Sequence, residues 1–132
     1  NIVVHAGFPE TITELPETEE GFLALSSKQR RRMQQLLHVR NLADDGHFVP
    51  LNEDEERGKY YWAEKYDGRF GFAWFGHHPH FDGDREVYPH ARPIDTGAVY
   101  GGYLTAAILS ESGVHLGFKR VPSKQHSPFG LW

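Results

Sequence analysis

The chain has 132 residues, a formal net charge of −4 and no cysteine, and 39% of its residues are hydrophobic. That length holds one domain or part of one, and the absence of cysteine excludes a disulfide framework and any zinc site built on thiolate. The negative balance argues against a nucleic-acid polymer as partner, because phosphate backbones call for a basic face, but it leaves room for a small phosphorylated substrate held through a metal.

Ile2, Val3 and Val4 are β-branched and apolar without interruption, the pattern of a strand covered on both faces. The run stops at His5-Ala6-Gly7, with Pro9 close behind. The chain opens directly on this strand, without an initiating methionine, which points to residues upstream. The polar, acidic residues 11–20 read as a loop. A helix is expected from about Ser26, where Ser26 and Gln29 have the spacing of a capping box. Met33, Leu36 and Leu37 follow at helical intervals, and Arg40, seven residues after Met33, falls on the same face near the helix end. The run Arg30, Arg31, Arg32 reads as a solvated helix face.

Residues 43–59, rich in Asp and Glu and punctuated by Gly and Pro, read as a long surface loop, its acidic part shaping access to a site. Trp62 and Tyr66 have the spacing of one helical turn. Residues 70–75 read as a second strand, aromatic and uncharged, ended by Gly76. Residues 81–92 read as a loop, and Ile94 opens a third β region. Gly101-Gly102 is a turn signal, followed by a strand over 103–109, a second turn at Ser112-Gly113 and a returning strand over 114–118. The tail, 122–132, reads as irregular. There is no repeat and no second domain.

Nine histidines is a high count for this length. Histidine is the commonest metal ligand and the usual acid or base near neutral pH. His5 directly follows the first strand, and His77 follows Gly76 at the end of the second. Ligands of α/β proteins sit at the carboxyl ends of strands, so two parallel neighbouring strands would bring both imidazoles to one rim. Gly7 and Gly76, lacking Cβ, would let the backbone approach a bound ion or substrate. On position alone, the alternative stays open that each histidine is a polar strand end.

Longer motifs narrow the choice. Val4-His5-Ala6-Gly7 resembles the V-H-A-G motif of calcineurin-like metallophosphoesterases, and Gly76-His77-His78-Pro79 resembles their G-H-T-P motif. The stretch from Ile94-Asp95-Thr96-Gly97 through Gly101-Gly102 to Leu104-Thr105-Ala106 is similar to the signature I-D-T-G-x-V-x-G-G-x-L-T-A. That signature marks the branch of bacterial serine/threonine phosphatases and diadenosine tetraphosphatases. Trp62, Tyr66 and Gly68 match a W-x-x-x-Y-x-G segment that precedes the second histidine motif in that branch. The order agrees, and the resemblance runs to about Leu109.

The resemblance implies a mixed α/β fold, part of a two-sheet sandwich flanked by helices, of which residues 1–132 form the C-terminal part, mainly the second sheet. It implies that His5 and His77 ligate one of two divalent ions, manganese first among manganese, iron, zinc and magnesium. It implies that Asp95 lies beside the metals, orienting a ligand or a water, a role weighed against that of an Asp capping its own turn. Arg40 is a candidate phosphate clamp, and His78, in the place of the usual threonine, is a candidate substrate contact. A further ligand that many relatives carry falls here on Pro79, and His80 stands one residue too far on to replace it. His38, His47, His90, His115 and His126 read as structural or exposed.

The implied activity is hydrolysis of a phosphomonoester, a phosphoprotein or a dinucleoside polyphosphate. The motifs G-D-x-H-G, G-D-x-x-D-R-G and G-N-H-E, which supply the remaining ligands and the general acid in relatives, do not occur in this chain. The chain alone is therefore expected to be inactive and to need the N-terminal segment of the same domain. The alternative is a non-enzymatic phosphate-binding or interaction module that keeps the fold without the chemistry. No apolar run approaches the roughly 18 residues of a membrane span, so no membrane partner is expected. Without a basic leader or cysteine, the expected compartment is the cytoplasm.

Overall fold

A computed structural model of the chain describes residues 1–82 and 88–124. The β-branched run forms β1 (Ile2–Val4), and two short helices follow, α1 (Glu19–Ala24) and α2 (Ser27–Met33). Each helix starts on a side-chain cap. Thr18 accepts from the Gly21 N–H, and Ser26 with Gln29 closes the expected capping box. These bonds satisfy amides that a first turn leaves without carbonyl partners. α2 then tightens into a 3₁₀ turn over Gln34–Leu37 and stops. The helix therefore never reaches Arg40, and the placement of Arg40 on its apolar face is corrected. Instead Val39 is buried between exposed His38 and half-buried Arg40, just ahead of β2 (Asn41–Leu42).

Residues 43–59 are more built than a surface loop. The chain reverses at Gly46, whose N–H donates to the Ala43 carbonyl at 2.9 Å, and Phe48 bridges back to Leu42. Val49 is buried. A 3₁₀ turn (Leu51–Glu53) runs into α3 (Asp54–Arg57), and Asp54 accepts from the Asn41 amide at 2.7 Å. The charged composition masked two apolar anchors, Phe48 and Val49. β3 (Tyr60–Tyr61) then pairs antiparallel with β2 and leads into α4 (Trp62–Lys65).

The second predicted strand is shorter than 70–75, because Gly71 takes φ 97° and its N–H closes a turn on the Gly68 carbonyl at 2.7 Å. What remains is β4 (Ala73–Phe75). The third β region begins earlier than Ile94, as β5 (Ala91–Pro93), and continues in β6 (Asp95–Thr96). β7 (Tyr103–Leu109) matches its prediction, and the return strand β8 (His115–Pro122) is longer than predicted. Residues 83–87 of the loop predicted over 81–92, and residues 125–132 of the tail predicted over 122–132, with His126, lie outside the described residues.

Among the described residues the strands form three small sheets, a mixed α/β arrangement. β1, β4 and β5 are parallel with β4 in the centre, in the register Val4 opposite Phe75 opposite Pro93. Their core is aromatic. Trp62 is fully buried, with ring centroids 4.9 Å from Phe75, 5.5 Å from Tyr66 and 6.0 Å from Phe8. Truncating a buried ring of this size costs about 3–5 kcal/mol. β6, β7 and β8 form an antiparallel sheet, and the register puts Leu104, Ile108 and Val121 on one of its faces, all exposed. Val3 is 77% exposed, so the predicted cover on both faces of β1 is corrected: β1 is an edge strand, and its outer side chain meets solvent. No helix of the described residues is long and apolar enough to cross a membrane.

Candidate functional site

β1 and β4 run side by side in the same direction, so their carboxyl ends share a rim. The ladder continues one step past the strands, with the Gly76 N–H donating to the His5 carbonyl at 2.9 Å. His5 and the residue after Gly76 therefore stand next to each other, and the His5 and His77 ring centroids are 5.1 Å apart, tilted by 54°. Sequence reasoning anticipated this juxtaposition from the two strand ends.

His77 sits in an unusual backbone conformation. Its φ is 69°, and among the described residues other than glycine it alone has positive φ. The His78 N–H donates to the Gly76 carbonyl at 2.8 Å, closing a three-residue turn with His77 at its centre. Such a turn costs on the order of 1–3 kcal/mol and survives only where the surroundings enforce it. Here the parallel ladder holds one side, and the His80 N–H, donating to the Asp95 carbonyl at 2.8 Å, holds the other. The turn leaves the imidazole beside that of His5.

Burial holds His77 below the ordinary imidazole range, helped by the Arg40 cation and by His5 and His38, with Asp95 pulling the other way. A neutral ring keeps a lone pair for an electrophile. Arg40 is thus close enough to act on His77 electrostatically, and its Nε is buried without a hydrogen-bond partner. His38, read from the sequence as structural or exposed, stands 6.1 Å from the His77 ring, edge to face. The signal for it was the spacing His38-Val39-Arg40, which puts two polar side chains around one buried valine.

The other candidates take different places. Asp95 lies beside Gly76, and its carboxylate Oδ1 accepts from the Gly97 N–H at 3.0 Å. It therefore caps its own turn while standing next to the histidine pair. The glycine-rich stretch after it has a structural cause. Gly97 and Gly101 are both left-handed and bracket one 3₁₀ turn (Ala98–Tyr100), while buried Thr96 bonds the Tyr103 carbonyl and the Thr105 hydroxyl, each at 2.6 Å. The His78 ring packs 5.8 Å from Tyr61 and 5.1 Å from His80. His80 is buried, with Nε2 3.2 Å from the Tyr61 hydroxyl. His115 packs on Trp74 and Phe118, and His47 lies beside Asp45, both away from the rim. His90 is exposed.

Gly7 and Gly76 differ in what they do. A Cβ on Gly76 would meet only ordinary contacts at 3.6 Å or more, so no protein neighbour requires a glycine there. A Cβ on Gly7 would lie 2.2 Å from the Trp62 indole. Gly7 is needed because the Trp62 indole fills the space a Cβ would take, so for Gly7 the expectation of room for a ligand is corrected.

Two clefts open from the rim. One, of about 550 Å³, runs past His5, Gly76 and Asp95 to Val3 and Leu104. The other, of about 310 Å³, is lined by His38, Arg40 and His77 and by Phe48, Pro50 and Leu51. Two imidazoles suit a divalent cation of nitrogen and oxygen preference. Their number does not complete a coordination shell, since among the described residues no three His, Asp or Glu side chains converge to hold a metal. No family model matches the chain, and no curated protein matches it.

Proposed function

We propose that this chain is the C-terminal part of a calcineurin-like phosphoesterase domain, and that His5 and His77 are two ligands of one ion in its two-metal centre. The observation that carries the reading is the meeting of these two rings, 5.1 Å apart, at the carboxyl ends of adjacent parallel strands. The strained backbone of His77 and the buried, unpartnered Nε of Arg40 beside it support the same reading. In this reading the parallel sheet and the β6–β8 sheet belong to a two-sheet sandwich flanked by helices.

The substrate is a phosphomonoester, phosphoprotein or dinucleoside polyphosphate. His5 and His77 would hold one of two divalent ions, manganese foremost, which would lower the pKa of a water and neutralise phosphoryl oxygens. The chain's own residues do the rest of what is proposed. His77 stays unprotonated and held in one direction by its turn. Arg40 offers a guanidinium to the phosphoryl oxygens. Asp95 fixes the turn that closes the rim beside Gly76, and His78, backed by Tyr61 and His80, lines the approach. The donors missing from this chain come from the preceding segment of the same domain.

The test is Mn²⁺-dependent hydrolysis of p-nitrophenyl phosphate. The complete protein turns over, His5→Ala and His77→Ala each lower the rate by roughly 100-fold, and this chain alone is silent. Robust turnover by this chain alone contradicts the reading. The second reading, a binding module without chemistry, is favoured by the two-donor count. It requires the complete protein to bind phosphate through Arg40 without turnover.

A further inference from the structure

The cleft on the Arg40 side of His77 is lined by two unlike sets of residues. His38, Arg40 and His77 are polar, and Phe48, Pro50 and Leu51, from a single segment, make an apolar wall. That segment is fastened at several points. Phe48 bridges back to Leu42 and packs on the core, Val49 is buried, and Asp54 is bonded to Asn41. The apolar wall is therefore held in place. Leu51, by contrast, is 64% exposed at its edge, an apolar side chain with little of the protein to cover it. The volume, about 310 Å³, is twice the roughly 150 Å³ that encloses a benzene ring. It leaves room for one ring and the atoms that link it to a phosphate.

Resting on the phosphoesterase reading, we propose that Phe48, Pro50 and Leu51 form a leaving-group subsite that selects phosphate esters carrying a flat aromatic group one methylene away from the ester oxygen. The phosphoryl group lies between the His5–His77 pair and Arg40, and the ring slides against the apolar wall, covering Leu51. A small polar alcohol would leave that wall in water and gain nothing from it. Leu51 is then a specificity-determining residue, 13 or fewer positions from every other residue of the cleft except His77, so one contiguous segment sets the preference.

The experiment compares benzyl phosphate with ethyl phosphate on the complete protein with Mn²⁺. The two leaving alcohols differ little in acidity, so a difference in kcat/KM reports contacts to the ring. A preference for benzyl of roughly tenfold is expected, the scale on which an apolar contact discriminates. Leu51→Asp brings that ratio close to one, whereas Leu116→Asp, on exposed β8, keeps it. Benzylphosphonate should likewise inhibit more tightly than ethylphosphonate, and Leu51→Asp should remove the difference. Equal efficiency for both esters, or a ratio untouched by Leu51→Asp, overturns the subsite and leaves the phosphoesterase reading standing. A complete protein that neither hydrolyses the esters nor binds the phosphonates overturns both.

Discussion

The two larger sheets use the same kinds of residue to opposite ends. In the parallel sheet, β4 is buried throughout and packs on Trp62, so its apolar residues fix the positions of His5 and His77 at its rim. In the antiparallel sheet, Leu104, Leu116 and Val121 are all more than 60% exposed, and β7 and β8 are held mainly by their own ladder. The contrast separates a region where packing positions the two histidines from one whose exposed apolar side chains carry little of the stability. A mutation on the first should move both stability and the site. A mutation at an exposed apolar position of the second away from the rim, such as Leu116 or Val121, should move neither.

The largest expected effect is at Gly7. Gly7→Ala places a methyl against the Trp62 indole, and an overpacked core site costs on the order of 3 kcal/mol. A thermal melt reads this directly, and a melting temperature unchanged from wild type would mean that the indole does not hold the segment after His5.

The turn at His77 comes next. Ala is ordinarily more stabilising than Gly by about 0.4–1 kcal/mol through the unfolded chain. At φ 69° the order should reverse, with His77→Gly more stable than His77→Ala by about 1 kcal/mol in urea unfolding. The usual order would show that the turn is not strained. On the antiparallel sheet, Leu104→Ser and Leu116→Ser should shift stability by no more than about 0.5 kcal/mol. A loss of several kcal/mol from either would erase the contrast between the sheets.

The smallest effect is electrostatic. In an NMR titration His77 should protonate below the ordinary value of 6.5, because burial and then the Arg40 cation oppose its charge. Arg40→Gln removes the second cause and should move the midpoint upward. The sign for stability follows: with the folded pKa depressed, the stabilising neutral state of His77 is fully present above 6.5 and lost as pH falls through the folded midpoint. A midpoint that stays put in Arg40→Gln would separate the two residues.

Much of this was legible in the sequence because it depends on local rules. The capping box at Ser26, the strand at β7 and the two histidines at strand ends follow from short-range pattern. Arg40 was misplaced because a seven-residue spacing fits a helix only while the helix continues, and the tightening at Gln34 ended it. The segment 43–59 was misread because its charge hides the two residues that anchor it, Phe48 and Val49. The role of Gly7 was invisible, since nothing in V-H-A-G reveals that Trp62, 55 positions later, lies against it. Long-range packing of this kind leaves no local trace.

The central claim is that one cation is gripped by both His5 and His77. Co²⁺ titration followed by visible absorption tests it on the chain, on His5→Ala, on His77→Ala and on the double variant. Shared coordination predicts that each single substitution loses as much affinity as the pair, because either loss leaves a single donor. Additive losses, or binding that survives either substitution intact, would show that the two imidazoles act apart.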